Sequence, residues 1–130
     1  MLKLYCIVML GGAIGTGGRL WLSTLLTARY GEIFPLGTLV INVLGSFIIG
    51  FFTGLTGPNG AWATSQMARY FVTIGVLGGF TTFSSFSSQT LALISRGDWP
   101  RAGLNIILSV ALCLLLCWMG NSVAMLINRG

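Results

Sequence analysis

Four long apolar segments constrain the fold of this chain more than any other feature. They cover about residues 4–28, 36–55, 67–94 and 102–127. A helix needs roughly 20 apolar residues to cross a bilayer, so each segment is long enough for one crossing. Only 7% of the residues are charged, against about a quarter in an average soluble domain. We therefore predict an all-α membrane protein with a single four-helix transmembrane domain over residues 1–130.

The first apolar segment follows Lys3 and superficially resembles a secretory signal. It continues past Arg19 to about Ala28, which is longer than the apolar region of a signal peptide. We interpret it as a retained first transmembrane helix. Its small-xxx-small spacing, which includes Gly11 and Gly15, allows another helix backbone to approach closely.

Few side chains in this chain are suited to catalysis. The chain has no His, and its only acids, Glu32 and Asp98, fall in predicted connections. It therefore lacks the usual ligands of a zinc site and the usual acid/base pair, and we expect no enzymatic activity. The seven Lys and Arg residues are scattered singly, so the net charge of +5 does not indicate a patch that binds nucleic acid.

The basic residues near the ends of the predicted helices divide evenly between the two membrane faces. Three lie on each face: Lys3, Arg69 and Arg129 on one, and Arg29, Arg96 and Arg101 on the other. An excess of such residues fixes which face stays cytoplasmic. The even division therefore permits insertion in both directions, and with it an antiparallel homodimer. The alternative is that one loop determines the orientation and the balance is coincidental.

Glycines and hydroxyls interrupt the third apolar segment over residues 78–87. Gly78 and Gly79 lower the helix propensity just before Thr81 and Thr82, so we predict that the third helix is broken near its middle. Irregular backbone at membrane depth is tolerated only inside protein or beside a water-filled cavity. The carbonyl groups that a break frees can hold a small cation.

Two aromatic rings follow the predicted break. Phe83 and Phe86 are three residues apart, so both rings can border one passage on a helical face. The edge of a phenyl ring carries positive charge density, and two such edges could stabilise a small anion. Core packing is the common alternative for a phenylalanine in a transmembrane helix.

Polar residues also occur within the other three predicted helices. Arg19 is costly at membrane depth unless it pairs, reaches a cavity or extends to the membrane surface. Asn42 carries two N–H donors that hydrocarbon cannot satisfy, so it either lines a pathway or joins two helices. The fourth helix carries a stripe that is either a polar track or a packing face: Asn105, Ser109, Cys113 and Cys117.

Together these motifs resemble the Fluc family of small bacterial fluoride channels, also called CrcB proteins, over nearly the whole chain. The likeness rests on three stretches: residues 11–19 with their glycines and Arg19, residues 35–45, and residues 78–87. It implies that two four-helix subunits pair antiparallel in the bacterial cytoplasmic (inner) membrane. It also implies two pores along the dimer interface, which export F⁻ for fluoride resistance, and one central structural Na⁺.

The resemblance also implies roles for individual residues. The backbone carbonyls of Gly78 and Thr81 would hold the Na⁺ from both subunits. The fluoride pore would be lined by Asn42, Phe83 and Phe86, with Thr82 or Ser84 nearby. The polar track would fall on the fourth-helix stripe from Asn105 and Ser109 to Cys113 and Cys117, where thiols replace hydroxyls. Arg19 would either attract anions or fix helix packing.

Two other classes of function remain open at this stage. A proton-coupled small multidrug exporter also has four transmembrane helices, but it needs a titratable group at membrane depth, whereas Glu32 and Asp98 lie in connections. The other class is a non-transporting assembly subunit or a pore-forming toxin.

Overall fold

Three long helices and one broken helix make up the structure. The computed structural model describes residues 1–130 and contains no β-strand. The helices are α1 (Leu2–Tyr30), α2 (Leu36–Thr56), α3 (Gln66–Tyr70), a π-helical segment (Phe71–Val76), α4 (Leu77–Phe80), α5 (Phe83–Ser95) and α6 (Trp99–Arg129). Three of them, α1, α2 and α6, are long and apolar enough to cross a membrane. The predicted all-α class is confirmed.

Successive passes of the chain alternate in direction. Parallel packing of α2 and α6 shows in two contacts: a Cβ added to Gly50 would meet the Cys117 carbonyl oxygen, and one added to Gly54 would lie 2.8 Å from Asn121 Oδ1. The second contact lies four residues after the first on both helices, so α2 and α6 run in the same direction. The alternation places the basic residues near the helix ends in the two groups of three that the sequence predicts.

The π-helical segment packs against the glycines of α1. A Cβ added to Gly11 would lie 2.7 Å from the Phe71 carbonyl oxygen, and one added to Gly15 would meet that of Val76. The close approach predicted from the α1 glycines is therefore confirmed. The backbone N–H of Leu77 donates to Val72 O, an i→i+5 bond that widens the helix locally. Nothing in the sequence predicted this widening.

The third helix is broken where the sequence predicted. Helix α4 ends at Phe80, and Thr81 and Thr82 are extended, with φ/ψ of −82°/156° and −152°/110°. Helix α5 then begins at Phe83. Thr82 caps α5, because its Oγ1 accepts a hydrogen bond from the Ser85 backbone N–H at 3.2 Å.

Both carboxylates lie outside the long apolar stretches, as predicted. Glu32 is exposed in the connection between α1 and α2. Asp98 caps α6 by accepting from the Arg101 backbone N–H at 3.4 Å, and its other oxygen pairs with the Arg101 guanidinium at 2.7 Å. The hydrogen bond from Arg101 lowers the pKa of Asp98 below its ordinary value.

Candidate functional site

A cavity of about 520 Å³ lies beside the helix break. Residues from α2, the broken helix and α6 line it. None of the lining side chains is a carboxylate, an ammonium or a guanidinium. The lining includes eight residues that the sequence analysis singled out: Asn42, Gly78, Thr81, Thr82, Phe83, Phe86, Ser109 and Cys113.

Asn42 on α2 is joined to the break by a reciprocal pair of hydrogen bonds. The Thr82 backbone N–H donates to Asn42 Oδ1 at 2.7 Å, and Asn42 Nδ2 donates to Thr82 O at 3.0 Å. Only this orientation of the amide makes both bonds. One Nδ2 hydrogen remains for the cavity that Asn42 lines. The side chain therefore joins two helices and lines the cavity at the same time.

The break deprives the four backbone carbonyls of residues 78–81 of their helical partners, and those of Gly78 and Thr81 are two of them. In a continuous helix Gly78 O would accept from Thr82 N–H, and Thr81 O from Ser85 N–H. The first N–H donates instead to Asn42 Oδ1, and the second to Thr82 Oγ1. These are the two carbonyls that the resemblance assigns to Na⁺, and their freedom to accept fits a hard cation, which prefers oxygen ligands.

The two phenylalanines border the same cavity. Their ring centroids are 5.3 Å apart, and the ring planes are inclined at 49°. Phe83 is 76% exposed, whereas Phe86 is half-buried. Neither ring is therefore buried in the core of the chain, which was the alternative for these residues.

The hydroxyl groups after the break form a small cluster. Thr82 Oγ1 donates to Ser85 Oγ at 3.1 Å and lies 3.2 Å from Ser84 Oγ. Thr82 is buried and lines the cavity, whereas Ser84 is exposed and lies outside the lining. The structure therefore brings Thr82, but not Ser84, to the candidate site.

The stripe on α6 divides into two parts. Asn105 is buried and does not line the cavity; its Nδ2 donates to Thr90 Oγ1 at 2.9 Å, and its Oδ1 accepts from Ser109 Oγ at 3.4 Å. Ser109 and Cys113 line the cavity. Cys117 does not, and its backbone packs against Gly50 of α2. Only the middle of the stripe therefore faces the cavity.

Arg19 is not part of the cavity lining. Its side chain is half-buried on α1, and no hydrogen bond or ion pair joins it to another residue of the chain. The guanidinium therefore has no hydrogen-bond or ion-pair partner within this chain.

Several polar residues that the sequence analysis passed over belong to the site or support it. Ser46 lines the cavity one turn beyond Asn42, and Thr73 lines it from the π-helical segment. Thr90 Oγ1 accepts a hydrogen bond from Asn105 Nδ2 and donates one to Phe86 O at 2.7 Å. The spacing of Ser46 from Asn42, and of Thr90 from Phe86, is the four-residue spacing of one helical face, which is the signal that could have found them.

Comparison with known proteins identifies the family. The family model described as CrcB-like protein, Camphor Resistance (CrcB), matches residues 6–121. This chain belongs to the CrcB family. A relative from Opitutus terrae, named fluoride-specific ion channel FluC, is 55% identical over 127 residues, which cover 98% of this chain and 96% of the relative. A relative of the same name from Methylocella silvestris is 52% identical over 125 residues, 96% of this chain and 95% of its own length.

The match to the CrcB family includes every residue that lines the cavity. A third relative, from Paramagnetospirillum magneticum and also named fluoride-specific ion channel FluC, is 52% identical over 96% of this chain and 98% of its own length. The family resemblance predicted from residues 11–19, 35–45 and 78–87 is therefore confirmed. This CrcB chain is a multi-pass membrane protein.

Proposed function

We propose that this chain forms a passive, fluoride-selective channel that exports F⁻ from the bacterial cytoplasm through the cavity beside the break. One observation carries the proposal: an uncharged cavity brings together the Asn42 amide, the Ser109 hydroxyl and the rings of Phe83 and Phe86. The relatives that share about half of its sequence, at 55% and 52% identity, are named fluoride-specific ion channels.

The groups around the cavity suit a small anion that must shed water. Fluoride needs replacement hydrogen-bond donors along a narrow path. Asn42 offers its remaining Nδ2 hydrogen, and the edges of the two rings add positive charge density. The N-terminal end of α5, at Phe83, contributes the positive end of a helix dipole. Because no fixed cation lines the cavity, the ion is not held too tightly to leave.

The position of the cavity supports an antiparallel homodimer. In one subunit the extended residues of the break and several hydroxyls border a cavity at the subunit surface, and such groups do not face lipid. A second copy, inserted in the opposite direction, would cover them. The even division of basic residues between the two ends supports this orientation. We propose that each dimer holds two pores.

The freed carbonyls of Gly78 and Thr81 support a structural Na⁺ site at the centre of the dimer. Each subunit would supply this pair, so four carbonyl oxygens would coordinate the Na⁺ where the two breaks meet. Thr81 Oγ1 donates to Leu77 O at 2.9 Å, so the hydroxyl of Thr81 is engaged within its own helix and its carbonyl remains the available ligand.

Arg19 has two proposed roles. It either raises the local concentration of anions or fixes the packing of α1, where the neighbouring Gly18 lies near the ring of Phe80. Arg19→Glu separates the two, because charge reversal lowers fluoride conductance strongly in the first role only.

The alternative of a proton-coupled multidrug exporter receives no support from the site. Such a mechanism needs a carboxylate that titrates at membrane depth, and the cavity is lined by none. Glu32 and Asp98 are both in connections or at a helix end.

Ion efflux from liposomes that contain the purified protein tests the proposed function. Vesicles loaded with either KF or KCl are treated with a potassium ionophore, and the released anion is measured with an ion-selective electrode. We expect rapid release of F⁻ and no release of Cl⁻ above that of protein-free vesicles. Equal release of both ions would indicate an unselective pore, and release of neither would indicate a non-transporting subunit. Either result contradicts the proposal.

A further inference from the structure

Asn42 lies between the two parts of the site. One hydrogen of its amide is available to the cavity, while its oxygen and its other hydrogen are bound to the backbone of Thr82. The same side chain therefore contacts the anion cavity and the break whose carbonyls fit a cation.

The hydrogen bonds of Asn42 engage N–H groups that a continuous helix would return to two of the freed carbonyls, those of Gly78 and Thr81. Its Oδ1 takes the Thr82 N–H that would otherwise donate to Gly78 O. Its Nδ2 holds Thr82 O, which keeps Thr82 in its extended conformation of φ −152° and ψ 110°. In that conformation Thr82 Oγ1 caps α5 and takes the Ser85 N–H that would otherwise donate to Thr81 O.

We propose that Asn42 is a positioning residue for the cation site. Asn42 binds the Thr82 N–H, and the Thr82 side chain that it positions binds the Ser85 N–H. Neither N–H can then donate to the carbonyls of Gly78 and Thr81, which stay available to Na⁺. The inference rests on the proposed function, because it takes the Na⁺ site as given. It also makes the two sites interdependent: a cation on these carbonyls fixes Thr82 and with it the Asn42 hydrogen that faces the anion. Such coupling is reciprocal.

The Na⁺ dependence of thermal unfolding tests this inference. Purified protein in detergent is unfolded at a series of NaCl concentrations, with choline chloride keeping the ionic strength constant, and tryptophan fluorescence reports the transition. A cation that binds only the folded state raises Tm with concentration, which gives the Na⁺ affinity. We expect Asn42→Ala to weaken that affinity about tenfold or more, because it removes both hydrogen bonds to Thr82 and each contributes roughly 0.5–1.5 kcal/mol.

Two variants separate positioning from general damage. Asn42→Asp keeps the oxygen that accepts from Thr82 N–H and loses the bond to Thr82 O, so its Na⁺ affinity should fall less than that of Asn42→Ala, whereas its fluoride efflux should fall because a carboxylate repels the anion. Ser46→Ala is the matched control. Ser46 lies one turn further on the same helix and lines the same cavity, but makes no hydrogen bond to the break, so its loss should leave the Na⁺ affinity unchanged.

The inference is overturned when Asn42→Ala keeps the wild-type Na⁺ affinity, or when Asn42→Asp loses as much affinity as Asn42→Ala. Should Asn42→Ala not fold, Asn42→Ser replaces it, because a serine hydroxyl is too short to reach both groups of Thr82. Wild-type fluoride efflux is measured in parallel. A wild type that releases F⁻ but unfolds independently of Na⁺ overturns this inference and leaves the channel function standing.

Discussion

Gly45 of α2 lies directly against the methyl group of Thr81, with no space for a β-carbon between them. The missing side chain lets α2 approach the extended residues of the break. Because Asn42 lies almost one turn earlier on α2, this approach is also what brings its amide within hydrogen-bond distance of Thr82. Close packing and the polar contact therefore depend on each other.

A methyl group at Gly45 should disrupt both. Gly45→Ala forces α2 away from Thr81, and we expect it to lower the free energy of unfolding by about 1–3 kcal/mol, the usual cost of overpacking. Fluoride efflux should fall with it, because Asn42 is drawn away from Thr82. The measurements are denaturant or thermal unfolding in detergent and efflux from liposomes.

Gly17→Ala is the matched control for this substitution. A Cβ added to Gly17 on α1 would have no atom within 4 Å, so this variant should keep its stability or gain up to about 1 kcal/mol from helix propensity. Wild-type stability and efflux in Gly45→Ala would show that the contact is not tight in the protein.

Removal of the ring at Phe86 should reduce fluoride flux while the fold is preserved. Phe86→Ile keeps a bulky apolar side chain but removes the ring edge at the cavity. Edge interactions of aromatic rings contribute on the order of 1 kcal/mol, so we expect roughly fivefold slower F⁻ efflux. The same change at Phe83, whose ring centroid is 5.3 Å away, should act in the same direction. Unaltered fluoride efflux in both variants would exclude the rings from the mechanism.

The buried pair Asn105 and Thr90 should stabilise the contact between α6 and α5. Hydrogen bonds between transmembrane helices contribute about 0.6–2 kcal/mol, so Asn105→Ala and Thr90→Val should show a coupling energy in that range. A double-mutant cycle measured by thermal unfolding gives this value directly. If the two effects add without coupling, the 2.9 Å bond between them contributes nothing to stability.

Much of this arrangement could be predicted from the sequence because it depends on local composition. Apolar segments of about 20 residues determine the helices, and Gly78, Gly79 and the two threonines determine the break. The clustering of Asn42, Phe83 and Phe86 was given by family resemblance. Helix periodicity alone fixes which residues of one helix share a face, but not which face of the neighbouring helix they meet.

Contacts between distant residues could not be read from the sequence for that reason. Asn42 and Thr82 are 40 positions apart, and nothing local indicates that an amide on α2 replaces a backbone partner on the third helix. The π-helical segment lies where α1 and the third helix pack together through Gly11 and Gly75. This contact depends on both helices and cannot be read from either one alone. Cys117 shares the stripe of Ser109, but it contacts Gly50 because the stripe drifts around α6.

Dual orientation is testable by shifting the balance of basic residues. Asn59 follows the end of α2, and Ser95 is the last residue of α5. Both are exposed, and they lie at opposite ends of the bundle. Asn59→Arg alone should bias every copy toward one orientation, and Ser95→Arg alone toward the opposite one. Each variant alone should therefore reduce the fluoride resistance of the expressing cells. Co-expression of the two variants should restore it, because they insert in opposite directions. Full resistance with each variant alone would contradict an antiparallel pair that needs both orientations.

The central claim is that fluoride passes through the cavity between Asn42 and Phe86, and the thiol of Cys113 provides the most direct test. Cys113 lines this cavity, whereas Cys6 is exposed on α1 and Cys117 packs toward α2. The measurement is F⁻ efflux from liposomes in chloride-free buffer before and after addition of Ag⁺, a small thiol-binding cation. We predict that Ag⁺ blocks efflux through the wild type and through Cys117→Ser, and that Cys113→Ser conducts F⁻ and resists the block. An equal block in Cys113→Ser, or undiminished efflux through Ag⁺-treated wild type, would contradict this pathway.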